Sequence, residues 1–249
     1  MQLTIMLKKL VHIFCLLILV SCSNNEIIEN TEENQEVEKS IVLLDTLTTE
    51  LKKDTSTSLK DAEFHPLYIG KRADSIQIIY DPNKVENVTH EWDLYKKPDS
   101  LDLTITIDTS RLIASVQKYI DWKMADSLGE ISPIFYSLQY QSYPVIIENK
   151  TSDTLEIGYG EYIPLIIEAK DQNGEWKPIQ KPFVYFCGTG MPFYFLPPEE
   201  ILITSCKIFD GDFKTTLRLV YGWEKQNYSN EFSGFIDEGQ FEYRTTSDY

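Results

Sequence analysis

The string Cys187-Gly188-Thr189-Gly190 has the residue types of a nucleophilic site. A cysteine attacks as a thiolate, which it generally becomes beside a histidine or at a helix N-terminus. After residue 21 the chain retains only His65 and His90, and neither lies in a recognisable catalytic context. The sequence therefore predicts no catalytic residue, and a structural disulfide between Cys187 and Cys206 is the favoured interpretation.

Two other strings contain residue types that bind metals. Asp171-Gln172-Asn173-Gly174 begins like a calcium loop but lacks the later ligands and the terminal Glu. Thr89-His90-Glu91-Trp92 places His beside Glu, but adjacent residues of a strand face opposite sides of the sheet. The sequence predicts no metal site and no cofactor, and the Asn173-Gly174 pair indicates a hairpin turn.

Carboxylates are too numerous to mark an active site by themselves. The 249 residues include 39 Asp and Glu, and groups such as Glu199-Glu200 and Asp210-Gly211-Asp212 adjoin turn residues. Two well-placed carboxylates would nevertheless suffice for a glycosidase. An envelope enzyme that acts on glycan or peptide through loop carboxylates is therefore the alternative to a non-catalytic protein.

Aromatic side chains are the better candidates for binding. A stacking platform for sugars could include several of them, and the rival interpretation places most of these rings in an aromatic-rich core. The candidate binding residues are Trp92, Trp176, Tyr185, Tyr194 and Trp223.

The elements that must position these residues follow an N-terminal export signal. Lys8-Lys9 and a long apolar run precede Leu19-Val20-Ser21-Cys22. This ending resembles the lipobox of bacterial lipoproteins, in which the chain is cut before the cysteine and the cysteine is acylated. The resemblance implies a signal peptide over 1–21 and a covalent lipid on Cys22. It also implies anchoring in the cell envelope, at the outer membrane, on its periplasmic or surface face.

Charge and cysteine usage agree with an anchored envelope protein. The formal charge of −16 argues against nucleic acid as a partner and against docking on anionic lipid, which leaves the acyl chains as the membrane attachment. With Cys15 removed and Cys22 lipidated, Cys187 and Cys206 remain in a compartment that permits a disulfide.

Composition divides the mature chain into three parts. Residues 22–63 are predicted to be an acidic, disordered tether, because 23–63 hold eleven acidic and four basic residues and few apolar ones. Residues 64–137 are predicted to be a smaller β-rich region and 138–249 a β-sandwich. Ser100–Asp108 alternates with Leu101 on its apolar face, whereas Arg111–Leu128 fits a helix or an irregular crossover. Pro144 has no backbone N–H to donate to a neighbouring strand, which predicts an open strand edge at this position.

Three segments support the fold assignment by resemblance. YPVIIENKTSDTLEIGYGEYIPLIIEAKDQNGEWKPI, LPPEEILITSCKIFDGDFKTTLRLVYG and YSNEFSGFID resemble an uncharacterised Bacteroidota lipoprotein family and, more loosely, immunoglobulin-type sandwiches. The resemblance covers roughly residues 138–243. It implies an all-β, immunoglobulin-like antiparallel sandwich in the cell envelope and carries no activity.

The sequence as a whole predicts a lipid-anchored binding or structural module whose partner is another envelope protein or a glycan. Exposed coplanar aromatic rings would favour a glycan, and a broad apolar patch would favour a protein. A cleft with convergent carboxylates would instead favour the enzyme.

Overall fold

The alternating segments form strands that pair mostly in antiparallel sheets, so the protein is all-β as predicted. A computed structural model describes residues 41–45, 51–81, 84–85, 95–124, 131–183, 193–222 and 226–242, with the backbone alone at 119–124 and 131–135. Within these ranges no helix combines the length and the hydropathy of a membrane span.

The described residues include seventeen strands and the 3-10 helix Glu238–Phe241. In chain order the strands are β1 Val42–Leu44, β2 Lys60–Asp61, β3 Tyr68–Lys71, β4 Ser75–Gln77, β5 Tyr95–Lys96, β6 Leu103–Ile107, β7 Ile113–Met124, β8 Ile131–Asn149, β9 Thr154–Tyr159, β10 Leu165–Lys170, β11 Trp176–Pro178, β12 Gln180–Lys181, β13 Phe193–Leu196, β14 Glu200–Lys207, β15 Phe213–Tyr221, β16 Asn227–Tyr228 and β17 Phe232–Ile236.

The first large sheet has the order β3-β14-β8-β6, and β7 also pairs with β8. β8 therefore contacts β6 at residues 145–149 and β7 at residues 131–142. Pro144 lies between the β8 residues that pair with β6 and those that pair with β7. The open edge that the proline predicts is therefore a short break in pairing within the sheet. Strands from the predicted 64–137 region and from the predicted sandwich share this sheet.

The segment around β7 differs from its prediction. Neither a helix nor an irregular crossover forms, because Ile113 to Met124 pairs residue by residue with β8. Long-range pairing here decides between local preferences that the sequence left open. Leu101 also differs, since it lies in the turn before β6 and is 88% exposed rather than on the apolar face.

The second large sheet has the order β11-β10-β15-β16, and β17 pairs with β15. A hairpin joins β10 and β11 at the predicted turn, with Gly174 at φ 80°. The Asp171 carboxylate accepts the backbone N–H groups of Asn173 at 2.8 Å and Glu175 at 3.0 Å. A left-handed glycine and an Asp that caps the turn explain why the chain reverses here.

One hydrophobic core joins the two large sheets. Val145 and Ile147 of β8 lie in the same cluster as Ile167 of β10 and Leu219 of β15, and all four are at most 1% exposed. Because alternate residues of each strand face this core, the intervening ones face outward. The two sheets therefore form the layers of a β-sandwich, and immunoglobulin-like connectivity stays a prediction.

A second, smaller core covers the outer face of the first sheet. Ile41 and the β4 residue Ile76 pack there with Ile113, Ile201 and Ile203. β1 and β4 pair in parallel above this face. β14 is consequently covered on both faces, which explains why seven of its eight residues are buried.

Residues 51–63, named the strap, cross from the first layer towards the second. Gln141 donates its N–H to Lys52 O at 2.8 Å, and Asp54 donates its N–H to Ile208 O at 2.8 Å. At the other end β2 pairs in parallel with β12. The strap is therefore held by backbone hydrogen bonds at both ends.

The structure thus differs from the prediction of a tether over 22–63. Residues 41–45 and the strap belong to the fold. Ile41 packs in the second core, and the polar strap is held by backbone pairing and one buried ion pair. Residues 1–40 lie outside the described residues, so the signal peptide, the lipid on Cys22 and a tether over 22–40 stay predictions.

The structure also differs from the prediction of a disulfide between Cys187 and Cys206. Cys206 is a free thiol that is fully buried in the main core, and Cys187 lies outside the described residues. Burial among apolar groups raises the pKa of the Cys206 thiol to about 12, so it stays protonated at neutral pH. The structure assigns Cys206 a packing role.

We expect Cys206 to resist alkylation in the native protein. A buried, protonated thiol offers neither access nor a thiolate to iodoacetamide. Peptide mapping after alkylation should find Cys206 unmodified without denaturant and fully modified in urea without any reductant. Alkylation in urea that requires prior reduction would contradict the assignment, because it would show a disulfide.

Candidate functional site

The outer face of the second large sheet presents an ordered set of aromatic and charged side chains. Trp176 lies opposite Lys170 in the β10–β11 register, and Arg218 of β15 lies opposite Glu168 of β10. Tyr228 of β16 pairs with Val220 of β15, which lies two residues after Arg218 and on the same face of the strand. These side chains share one face because each lies at an alternate position along its strand.

Trp176, Arg218 and Tyr228 stack on one another and are named the Trp–Arg–Tyr ladder. The Arg218 guanidinium carbon lies 4.1 Å from the Trp176 ring centroid and 4.0 Å from the Tyr228 ring centroid. Both distances are within the range of cation–π attraction, which favours a guanidinium over an aromatic face. The ladder runs diagonally across β11, β10, β15 and β16.

A carboxylate fixes the guanidinium in this position. Arg218 Nε and Nη2 donate to Glu168 Oε2 at 2.9 Å and 2.7 Å. The two side chains are 18% and 14% exposed, so solvent screens this pair less than an open surface pair. Glu168 therefore holds the guanidinium between the two rings.

Lys170 supports the Trp176 end of the ladder. Its Nζ lies 4.7 Å from the Trp176 ring centroid and 3.3 Å from Glu231 Oε2. Its carbonyl accepts a hydrogen bond from the Thr215 hydroxyl at 2.5 Å. At the opposite end Tyr228 is 46% exposed, so the ladder is open to solvent there.

The structure describes two of the five predicted binding aromatics and places them apart. Trp176 is in the ladder, whereas Tyr194 lies in the core at 4% exposure, where burial raises the pKa of its hydroxyl to about 12. Trp92, Tyr185 and Trp223 lie outside the described residues. No five-ring platform can be described, and Tyr194 corrects the prediction because its strand β13 turns it inward against the main core.

No pattern in the sequence singles out Arg218 or Tyr228 as a binding residue. The hairpin at Asn173-Gly174 could have placed Lys170 opposite Trp176, because a short turn fixes the register of its strands. Nothing local relates β15 to β10, since their pairing spans a long stretch of chain. The ladder is therefore a product of tertiary pairing.

Loop carboxylates converge at one open cavity of about 300 Å³, which Asp212, Asp237 and Glu238 line with Phe213. Asp237 already has a structural role there, because its Oδ1 accepts the Gly239 N–H at 2.8 Å and caps the 3-10 helix. Asp210 lies 3.8 Å from the Lys53 ammonium. The cavity is open to solvent, and one of its three carboxylates is engaged in the cap.

A buried ionic cluster joins the strap to the first sheet. Lys207 Nζ lies 2.9 Å from Asp54 Oδ2, and both side chains are 7% exposed. Burial alone would raise the pKa of Asp54, but the Lys207 ammonium and the Ser56 hydrogen bonds outweigh it and hold that pKa below its usual value. Nearby, burial raises the pKa of Glu63, which accepts a hydrogen bond from Gln117. We assign this cluster to attachment of the strap.

No family of proteins, no curated protein and no solved structure matches this chain.

Proposed function

We propose that this chain is a lipid-anchored binding module of the bacterial cell envelope that docks a protein partner on the Trp–Arg–Tyr ladder. The proposed anchor is the lipid on Cys22, and the chain from Cys22 to Ile41 can span at most about 65 Å. The sandwich would then search for its partner within that distance of the membrane surface.

The pre-organised ladder is the observation that supports a binding role. Trp, Tyr and Arg are the residue types that most often dominate protein interfaces. Ordering such side chains on binding normally costs free energy, and here Glu168 and the two rings already hold Arg218 in place. A partner would therefore meet a surface that loses little entropy.

The same geometry favours a protein over a glycan. A sugar stacks on an open aromatic face, and the Arg218 guanidinium already covers one face of Trp176 and one of Tyr228. A protein can use the exposed ring edges together with the remaining guanidinium N–H groups, which suit carbonyl or carboxylate acceptors.

We expect a photo-cross-linking amino acid in place of Tyr228 to capture a protein in intact cells of the source organism. Arg218→Ala in the same chain should reduce that adduct at least tenfold, because truncating a central interface residue costs about 2 kcal/mol or more. The measurement is the yield of the adduct on a denaturing gel, with protease digestion to establish that the captured partner is protein.

Matched controls separate binding from folding and from charge. Lys214→Ala removes an exposed cation from the same strand outside the ladder and should leave the adduct unchanged, and a probe at Thr109 should not form it. Thermal unfolding checks that Arg218→Ala remains folded. The proposal fails if the Tyr228 probe captures no protein, if Arg218→Ala leaves the adduct intact, or if the adduct is glycan.

A further inference from the structure

A cleft of about 280 Å³ opens between the two layers of the sandwich, away from the ladder. Its wall is mainly aromatic and aliphatic, with Tyr143, Phe209, Leu217 and Phe232 among the lining residues. The Tyr143 and Phe232 rings meet edge to face with centroids 6.0 Å apart. Ligand pockets in proteins are typically concave and mostly apolar with few polar groups, and this cleft has that composition.

The mouth of the cleft is open to solvent. Leu112 and Phe235 both line it and are 55% and 45% exposed. Gly234 also lines the cleft, and a Cβ at this position would lie 2.2 Å from Leu217 Cδ1. The glycine therefore lets Leu217 lie directly against β17.

The charges that adjoin the cleft cancel in pairs. Lys53 lies 3.8 Å from Asp210, and the Lys207 ammonium lies 2.9 Å from Asp54. Gln141, another lining residue, donates its side-chain N–H to Leu51 O at 3.0 Å. A charged ligand would have to displace one of these partners or remain unpaired in an apolar site, which is costly. The local charge balance thus selects an uncharged ligand.

We propose that the cleft binds a small uncharged amphiphile, with its apolar body between the layers and a hydroxyl or amide head at the mouth beside Lys53. At roughly 30 Å³ for each water-sized group, the volume holds about nine or ten non-hydrogen atoms. This site is separate from the ladder, so the inference does not depend on the proposed function.

Octan-1-ol, octanoate and octylammonium test the proposal, because they share one chain length and differ in the charge of the head. Isothermal titration of the purified full chain should show one saturable site for octan-1-ol. Octanoate and octylammonium should bind at least fivefold more weakly. Equal or tighter binding of either ion would overturn the inference about charge, and unsaturable octanol uptake would overturn the site itself.

Matched variants locate the binding site. Leu112→Trp should reduce octanol affinity at least tenfold by closing the mouth, whereas Leu101→Trp changes an exposed leucine outside the cleft and should have no effect. Leu217→Phe should reduce the affinity similarly by filling the cleft from within, with thermal unfolding as a check of its fold. Octanol binding that survives both cleft variants would place the ligand elsewhere and refute the proposal.

Discussion

Replacing Asp54 by Asn should lower the free energy of unfolding by about 3–5 kcal/mol. The substitution removes the carboxylate that pairs with Lys207, whose side chain is 7% exposed, and leaves the buried ammonium without its ion-pair partner. Breaking a buried pair from one side costs far more than the pair contributes as a whole, because the remaining charge keeps its desolvation penalty. Urea unfolding followed by circular dichroism measures the change.

Two comparisons separate the buried charge from loss of a contact. The double variant Asp54→Asn, Lys207→Met should recover much of the lost stability, because it removes the unpaired ammonium. Glu231→Gln breaks the exposed Lys170–Glu231 pair and should cost at most about 1 kcal/mol. The interpretation is wrong if Asp54→Asn costs no more than Glu231→Gln.

The contribution of the Asp54–Lys207 pair to the free energy of unfolding should depend on pH. Because the pKa of Asp54 is lower in the folded protein than its ordinary value of 3.8, its stabilisation is present above that pH and is lost as pH falls through the folded value. Glu63 acts in the opposite sense, since burial raises its pKa and protonation favours the fold. Burial lowers the pKa of His65, so acidification below 6.5 works against the fold there. Asp54→Asn should remove the Asp54 component and reduce that of Glu63, because the Asp54 charge also raises the pKa of Glu63. Urea unfolding of both proteins across the acid range measures the change.

Gly211→Ala should destabilise the fold by about 2–3 kcal/mol. A Cβ at this position would lie 2.2 Å from the carbonyl carbon and oxygen of Ile236. Both atoms belong to the backbone of β17, which pairs with β15, so the neighbour cannot rotate aside as a flexible side chain would. Thermal and urea unfolding of the variant measure the loss.

Gly174→Ala is the matched control for Gly211→Ala. Gly174 has φ 80°, and a Cβ added to it would have no atom within 4 Å, so this substitution adds left-handed backbone strain without a collision. We expect a loss of about 1–2 kcal/mol. A smaller effect at Gly211 than at Gly174 would show that β17 yields easily and that the close approach does not restrict this site.

The sequence by itself determined the features that depend on neighbouring residues. Alternation of apolar and polar residues predicted β6, whose Leu103, Ile105 and Ile107 are buried between exposed threonines. Asn173-Gly174 predicted the β10–β11 hairpin, because a turn that needs a left-handed glycine sets the register of two short strands directly. Both signals depend on residues that are only a few positions apart. Such local signals are sufficient to predict that the protein is all-β.

Only the tertiary structure decided which distant residues meet. Asp54 and Lys207, like Trp176, Arg218 and Tyr228, come together because non-adjacent strands pair in a particular register. Polarity made the strap look like part of a tether, and the leftover cysteine count suggested a bridge for Cys206. The burial of the strap and of Cys206 depends on which distant residues pack beside them in the folded chain. A period of two identifies a strand and its two faces, but it carries no information about the partner strand, and that partner determines both the ladder and the cleft.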